Sequence, residues 1–313
     1  MKVRNKVTPE IIATVESLEQ AEALLKLGVD RIQFGEDYFG LRLKKSFSRE
    51  QQAELIDLAH RYGKKADLAV NGIFHNDRIE RVEEYLRFLN EKGADSITVG
   101  DPGVVQVMKG LERHPDFRYD MQVMVTNAKQ INFWAKRGAK SAIVAREIPR
   151  EELALIIEKA IVPVEVQVYG PTCIHQSKRP LLENYFNYVH EDEEVTRERD
   201  LFLSEPMKPN THYSIYQDMN GTHIFASNDL NMIGQLKELL DMGAGQLKLD
   251  GLFTDAESFV SIVEIFKKEV EAVLDGSWTK EGAEEANRSL NAYHRANRSF
   301  DTGFYFKDPK EVQ

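Results

Sequence analysis

Cys173 and His175 stand two apart in Tyr169-Gly170-Pro171-Thr172-Cys173-Ile174-His175. A thiol beside an imidazole is what a nucleophile needs, because the ring can take the thiol proton. A lone cysteine is more often a small buried apolar group, so two readings stand here. Arg146-Glu147 ends an apolar run, either as a local ion pair or as a guanidinium offered to a carboxylate or phosphate. Lys248 interrupts the apolar run Gln246–Leu249. Alternation sends Leu247 and Leu249 to the opposite face, so its ammonium points inward and needs an acid such as Asp250 or Glu16. Asn71 and Asp101 also follow apolar runs, although Asp101-Pro102-Gly103 reads equally well as a helix start. The expected site is Cys173 and His175 as catalytic groups, with Asn71, Asp101, Arg146, Glu147 and Lys248 binding a small anionic ligand. The other histidines show no metal-ligand spacing, and no metal is expected.

For these residues to meet, the chain must bring several strand ends to one rim. A pattern of amphipathic run, glycine and short β-rich run recurs at Gly28, Gly93, Gly138 and Gly243, and more weakly at Gly63. A glycine past a helix end supplies the left-handed residue that stops it, and the chain then enters a strand. Eight strands are predicted: Ile11–Val15, Arg31–Phe34, Ala66–Val70, Ser96–Val99, Asp120–Val125, Ser141–Val144, Val164–Tyr169 and Gln246–Leu249. Eight β/α units predict a TIM-type (β/α)8 barrel, whose chemistry sits on the loops after the strands. A doubly wound sheet is the runner-up, but no Gly-x-Gly-x-x-Gly follows the first strand. The segment 173–228 breaks the rhythm and reads as a hairpin-containing insertion before the last strand. Its turn is expected at Asn220-Gly221, as type I′. The barrel with this insertion is expected to occupy 1–276. A C-terminal helix and an aromatic tail, 277–313, are expected to pack on it.

The 313 residues carry 41 Lys and Arg against 51 Asp and Glu, a net charge of −10. That balance argues against gripping nucleic acid with the whole surface, though not against a local basic groove. Arg42-Leu43-Lys44-Lys45 and Lys178-Arg179 are such candidates, although basic runs are usually just solvated. With one cysteine, the chain can form neither an internal disulfide nor a four-cysteine metal site by itself. No apolar run approaches the ~18 residues of a membrane span. A cytoplasmic protein without membrane contact is expected.

From Glu165 onward the chain resembles the signature of peptidase family U32. Glu165, Gly170 and Cys173 hold the family's places, whereas Gln167 replaces a Phe, Lys178 a Gly and Pro180 a second Cys. Further likenesses follow in order: Val70-Asn71 with His75-Asn76-Asp77, Asp101-Pro102-Gly103-Val104, Val125-Thr126-Asn127, Ala145-Arg146-Glu147, Asn220 to Phe225, and Arg298 to Phe304. The resemblance implies a barrel-like fold. Some relatives are collagenase-like peptidases, and others modify RNA or quinones, several through a four-iron cluster on four cysteines. Short members resemble one half of a pair needed for prephenate-dependent hydroxylation of wobble uridine in tRNA to 5-hydroxyuridine. The implied partners are tRNA, contacted directly or through another protein, and a longer family member. Three of the four cluster cysteines are missing here, so no cofactor is expected on this chain alone, and prephenate is the implied small-molecule substrate. A U32-type peptidase and a non-catalytic RNA-binding or complex-forming subunit are the alternatives.

Overall fold

A computed structural model describes residues 8–120, 126–295, 297–308 and 310. The first seven strands are β1 (Glu10–Thr14), β2 (Arg31–Phe34), β3 (Lys65–Val70), β4 (Ser96–Val99), β5 (Asp116–Asp120), β6 (Ala139–Ile143) and β7 (Val164–Ser177). Three strands follow in an insertion, β8 (Phe202–Glu205), β9 (Lys208–Asp218) and β10 (Gly221–Asn231). The chain then returns as β11 (Gln246–Leu249) and ends in the short β12 (Ser299–Asp301). β1 to β7 pair in sequence order, all parallel, and β11 pairs parallel with both β7 and β1. Eight strands therefore close the predicted barrel.

Helices form where the sequence supplies starts and stops. Ser17 accepts the Gln20 amide at the head of Leu18–Leu27, and Ser48 with Gln51 makes a reciprocal capping box before Arg49–Arg61. Gly28, at φ 90°, ends the first of these helices, as the glycine pattern predicts. The apolar face of each barrel strand points outward against the helices. Ile32 and Phe34, Leu68 and Val70, Ile97 and Val99, and Leu247 and Leu249 all lie in one continuous core with Leu24, Leu55, Leu86, Phe259 and Phe266. No helix among the described residues is long and apolar enough to cross a membrane.

The inward face is polar. Arg118 of β5 meets Asp67 of β3 at 3.1 Å and Glu165 of β7, all fully buried. Asp67 also accepts from the Ser96 and Thr98 hydroxyls. Nearer the strand starts, Arg31 pairs with Glu10 at 2.8 Å. Charges can occupy a barrel interior only when opposite charges and hydroxyls face them, as they do here.

Three expectations shift. The fifth strand begins at Asp116 and not Asp120, because Arg118 is an inward member of it; residues 121–125 lie outside the described chain. β7 does not stop at Tyr169. It runs on through Gly170 and Pro171 out of the barrel and pairs antiparallel with β10. The hairpin turns one residue earlier than expected, since Asp218 pairs with Gly221 and leaves Met219 and Asn220 as the loop. Asn220 keeps a negative φ, which excludes type I′. Its side chain is committed elsewhere: it accepts from Arg78 at 2.9 Å and donates to the Asp37 carbonyl at 2.8 Å.

The helix Lys280–Leu290 follows the long helix Ala256–Asp275 and packs on it. Beyond it, Arg298 is buried and donates to Asp229, the Ser214 hydroxyl and the Ala226 carbonyl, which ties the tail to the insertion.

Candidate functional site

At the C-terminal mouth of the barrel a small pocket is lined by Thr14, Gln33, Asn71, Arg146, Lys248 and Asp250, with Leu41 to Leu43 across the top. The strands and the loops after them supply this ring, whose inward positions are polar apart from Ala69. Lys248 donates to the Gln33 side-chain amide oxygen and lies 3.9 Å from Asp250. Gln33 in turn donates to Asp67 at 2.8 Å and to Thr98 at 3.0 Å, so the pocket floor is fixed by the interior network. Asn71 donates to Asp120 at 2.8 Å and accepts the Leu41 amide at 2.9 Å, which holds the overlying loop. Arg42 in that loop is left-handed, at φ 55°, a conformation rare outside glycine and often retained at functional positions. It donates to Gln176 at 2.9 Å.

Arg146 is enclosed and donates to the Pro171 carbonyl at 3.3 Å. Among the described residues no carboxylate lies within salt-bridge distance of it. Burial lowers its pKa from the ordinary value despite Asp250, and Arg42 adds to the fall. A guanidinium so placed is stabilised by an anion entering the pocket.

Cys173 lies beside this ring on the extension of β7. Burial alone would push its thiol up, but the neighbouring His223 imidazole and the charges of Arg42 and Arg146 outweigh that and hold it below the ordinary thiol range. His223 is buried and sits 3.0 Å from Asp218. Burial opposes its charged form, yet the Asp218 hydrogen bond and the neighbouring Cys173 raise its pKa above the ordinary value. For Asp218, burial is outweighed by His223 and the pKa falls. Tyr216 and Phe225 pack over the sulfur.

The expected residues divide into two groups. Asn71, Arg146 and Lys248 line one pocket, and Cys173 adjoins it. Asp101 caps the helix Pro102–Met108, accepting the Gly103 amide at 2.7 Å. Glu147 lies outside the pocket lining. His175 is exposed, and it is its backbone carbonyl that lies 3.3 Å from the Cys173 sulfur. The cause is a bulge: Cys173 pairs with Phe225, His175 with Ile224 and Gln176 with His223, which leaves Ile174 as an extra residue. An extra residue reverses side-chain alternation. Cys173 therefore shares a face with Gln176 and His223, and His175 turns to solvent. In the sequence His223 shows only as part of the hairpin and of the Asn220 to Phe225 family likeness, neither of which points it at Cys173.

The chain offers one thiol, and among the described residues no group of three His, Cys, Asp or Glu side chains is placed to hold a metal. These residues do not fit a four-thiolate cluster, and no step here runs through one.

The family described as peptidase family U32 matches residues 16–313. The tRNA hydroxylation protein P2 of Bacillus subtilis (strain 168) is 35% identical over 306 residues, covering 96% of this chain and 98% of that one. The tRNA hydroxylation protein P1 of the same organism is 24% identical, over 90% of this chain and 69% of its own length. Among solved structures, the U32 peptidase Mk0906 superposes with a TM-score of 0.51 at 14% identity, over 79% of this chain and 94% of that one. That last likeness concerns the fold alone.

Proposed function

Since the chain belongs to peptidase family U32, we propose that it acts in tRNA hydroxylation, in the prephenate-dependent conversion of wobble uridine to 5-hydroxyuridine. The observation that carries the reading is its end-to-end likeness to a tRNA hydroxylation protein of almost the same length. The mouth pocket supports it. Arg42, Arg146 and Lys248 bring three cations to one cavity against Asp250, and forked guanidinium donors suit the carboxylates of a small acid. Asn71 and Gln33 set its floor and roof.

The partner in this reading is a longer family member. The P1 protein is such a relative, matched over only part of its length. A chain with a single cysteine contributes binding and orientation at this pocket, and any cluster chemistry belongs to the partner. tRNA meets the complex at the mouth, where phosphate contacts position the substrate.

Deleting the gene in a host without redundant relatives is expected to abolish 5-hydroxyuridine-type nucleosides in bulk tRNA, measured by nucleoside mass spectrometry. Re-expression of the wild-type chain restores them, and re-expression of Arg146→Gln restores less than a tenth. An unchanged nucleoside profile after deletion rejects the proposal.

A further inference from the structure

Cys173 is joined to three features that point away from a merely structural thiol. The first is the ring of His223, which is wholly buried. Its Nε2 lies 3.0 Å from Asp218, which fixes the ring, and its Nδ1 is buried with no hydrogen-bond partner among the described residues, on the face of β10 that also carries Phe225 opposite Cys173. The second is the pair Arg42 and Arg146, which line the mouth pocket and also act on the Cys173 sulfur. The third is Tyr216. Its ring packs with Phe225 and Leu252 against Cys173, and its hydroxyl is buried with no hydrogen-bond partner among the described residues. Thiol, base, base-orienting carboxylate and anion-binding guanidinium groups thus converge from β7, β9, β10 and two barrel loops. A nucleophile within reach of a base, itself held by a third group, is the arrangement of covalent catalysis.

We propose that Cys173, His223 and Asp218 form a nucleophilic triad, and that Arg42 and Arg146 hold the carboxylate of a small molecule whose electrophilic carbon meets the Cys173 sulfur. The occupant class is a small carboxylate bearing a carbonyl or other carbon with a leaving group. His223 takes the thiol proton, and the sulfur electron pair forms the S–C bond. The leaving group departs with the electrons of the bond it breaks and receives the proton from His223. Asp218 is a positioning residue: it holds the ring and stabilises its protonated form. The step needs no oxidant or reductant. It stands on the geometry of the purified chain and does not depend on the tRNA reading.

The test uses the purified full chain and two alkylating probes that differ in charge, iodoacetate and iodoacetamide. Each transfers a two-carbon group to sulfur with loss of iodide, followed by intact mass. Neutral iodoacetamide ordinarily reacts with an open thiol at least as fast as anionic iodoacetate. Here iodoacetate is expected to be faster by about tenfold, because the two guanidinium groups concentrate the anion beside the sulfur. Arg146→Gln removes that preference: it slows iodoacetate several-fold more than iodoacetamide, which loses only the share of thiolate that the guanidinium had stabilised. His223→Gln slows both probes by about tenfold or more, in line with loss of a general base. His175→Gln changes neither rate. Iodoacetamide reacting faster than iodoacetate on the wild-type chain overturns the carboxylate site, and that reading needs no variant to fold. Equal rates in the wild type and a folded His223→Gln overturn the triad. Cys173-dependent cleavage of casein overturns the small-molecule assignment in favour of a peptide.

Discussion

His223 and Asp218 form a pair whose two pKa shifts oppose each other in direction and agree in consequence. The carboxyl of Asp218 is lowered, so its contribution to stability is present above the ordinary 3.8 and is lost as pH falls through its folded value. The imidazole is raised, so its contribution is complete below the ordinary 6.5 and is lost as pH rises through its folded value. The pair therefore stabilises the protein most between these limits. Asp218→Asn is expected to cost about 2 kcal/mol near pH 5, within the range for a charged hydrogen bond. The difference should shrink at pH 3 and again at pH 9; urea denaturation at the three pH values measures it, and a constant difference refutes the pairing. At this scale the sequence told much, but unevenly. Cys173, Arg146, Lys248 and Asn71 stood out by type and position; the last three line one pocket and Cys173 adjoins it. Arg42 did not, because Arg42-Leu43-Lys44-Lys45 has the look of a solvated basic run, and its fold over the mouth depends on Asn71 holding Leu41. His223 was hidden by one extra residue in a strand, which periodicity cannot see.

Barrel strands were the most legible elements. Short apolar runs after glycines gave β2, β4 and β11 to the residue, because the outward faces are uniformly apolar. β5 was misplaced for the opposite reason: Asp116-Phe117-Arg118-Tyr119-Asp120 alternates correctly, but its inward member is a charge, which reads as surface. Arg118 is nonetheless the centre of the interior network, facing Asp67 and Glu165. Arg118→Met is expected to destabilise by about 3–5 kcal/mol, since it strands two buried carboxylates. Chemical denaturation reads this, and a loss under 1 kcal/mol means that water reaches the interior. A second element-level prediction concerns the point where β7 leaves the barrel. Gly170 has φ 109°, and a Cβ there would sit 2.1 Å from the Asp250 carbonyl oxygen. Gly170→Ala must open the seam between β7 and β11, at a cost of several kcal/mol. It should also lower the thermal midpoint more than Gly234→Ala, whose Cβ meets nothing within 4 Å.

Over the whole molecule, the barrel supplies the pocket and the insertion supplies the base, so the site spans two parts of one chain. Their relation is fixed from a third place. Arg298 donates to Asp229 at 2.9 Å and to Ser214 at 2.7 Å, while β12 pairs with β10. Arg298→Ala is expected to speed amide hydrogen exchange in β9 and β10 by about tenfold or more, with the barrel strands unchanged, because local openings differ in free energy across a structure. Uniform exchange across all strands would mean that the tail does not brace the insertion separately. A helix and an aromatic tail after the barrel were readable from their periodicity and composition. Their tie to β10 was not, since it rests on one arginine meeting an aspartate 69 residues away.

The order of synthesis gives this brace a further meaning. Chains emerge from the ribosome amino end first and fold as they go. Every barrel strand, and the thiol with them, leaves before Arg298 does. A nascent chain thus displays its reactive sulfur before the clasp that steadies the neighbouring imidazole has been made, and competence comes late in translation, after the scaffold is already closed.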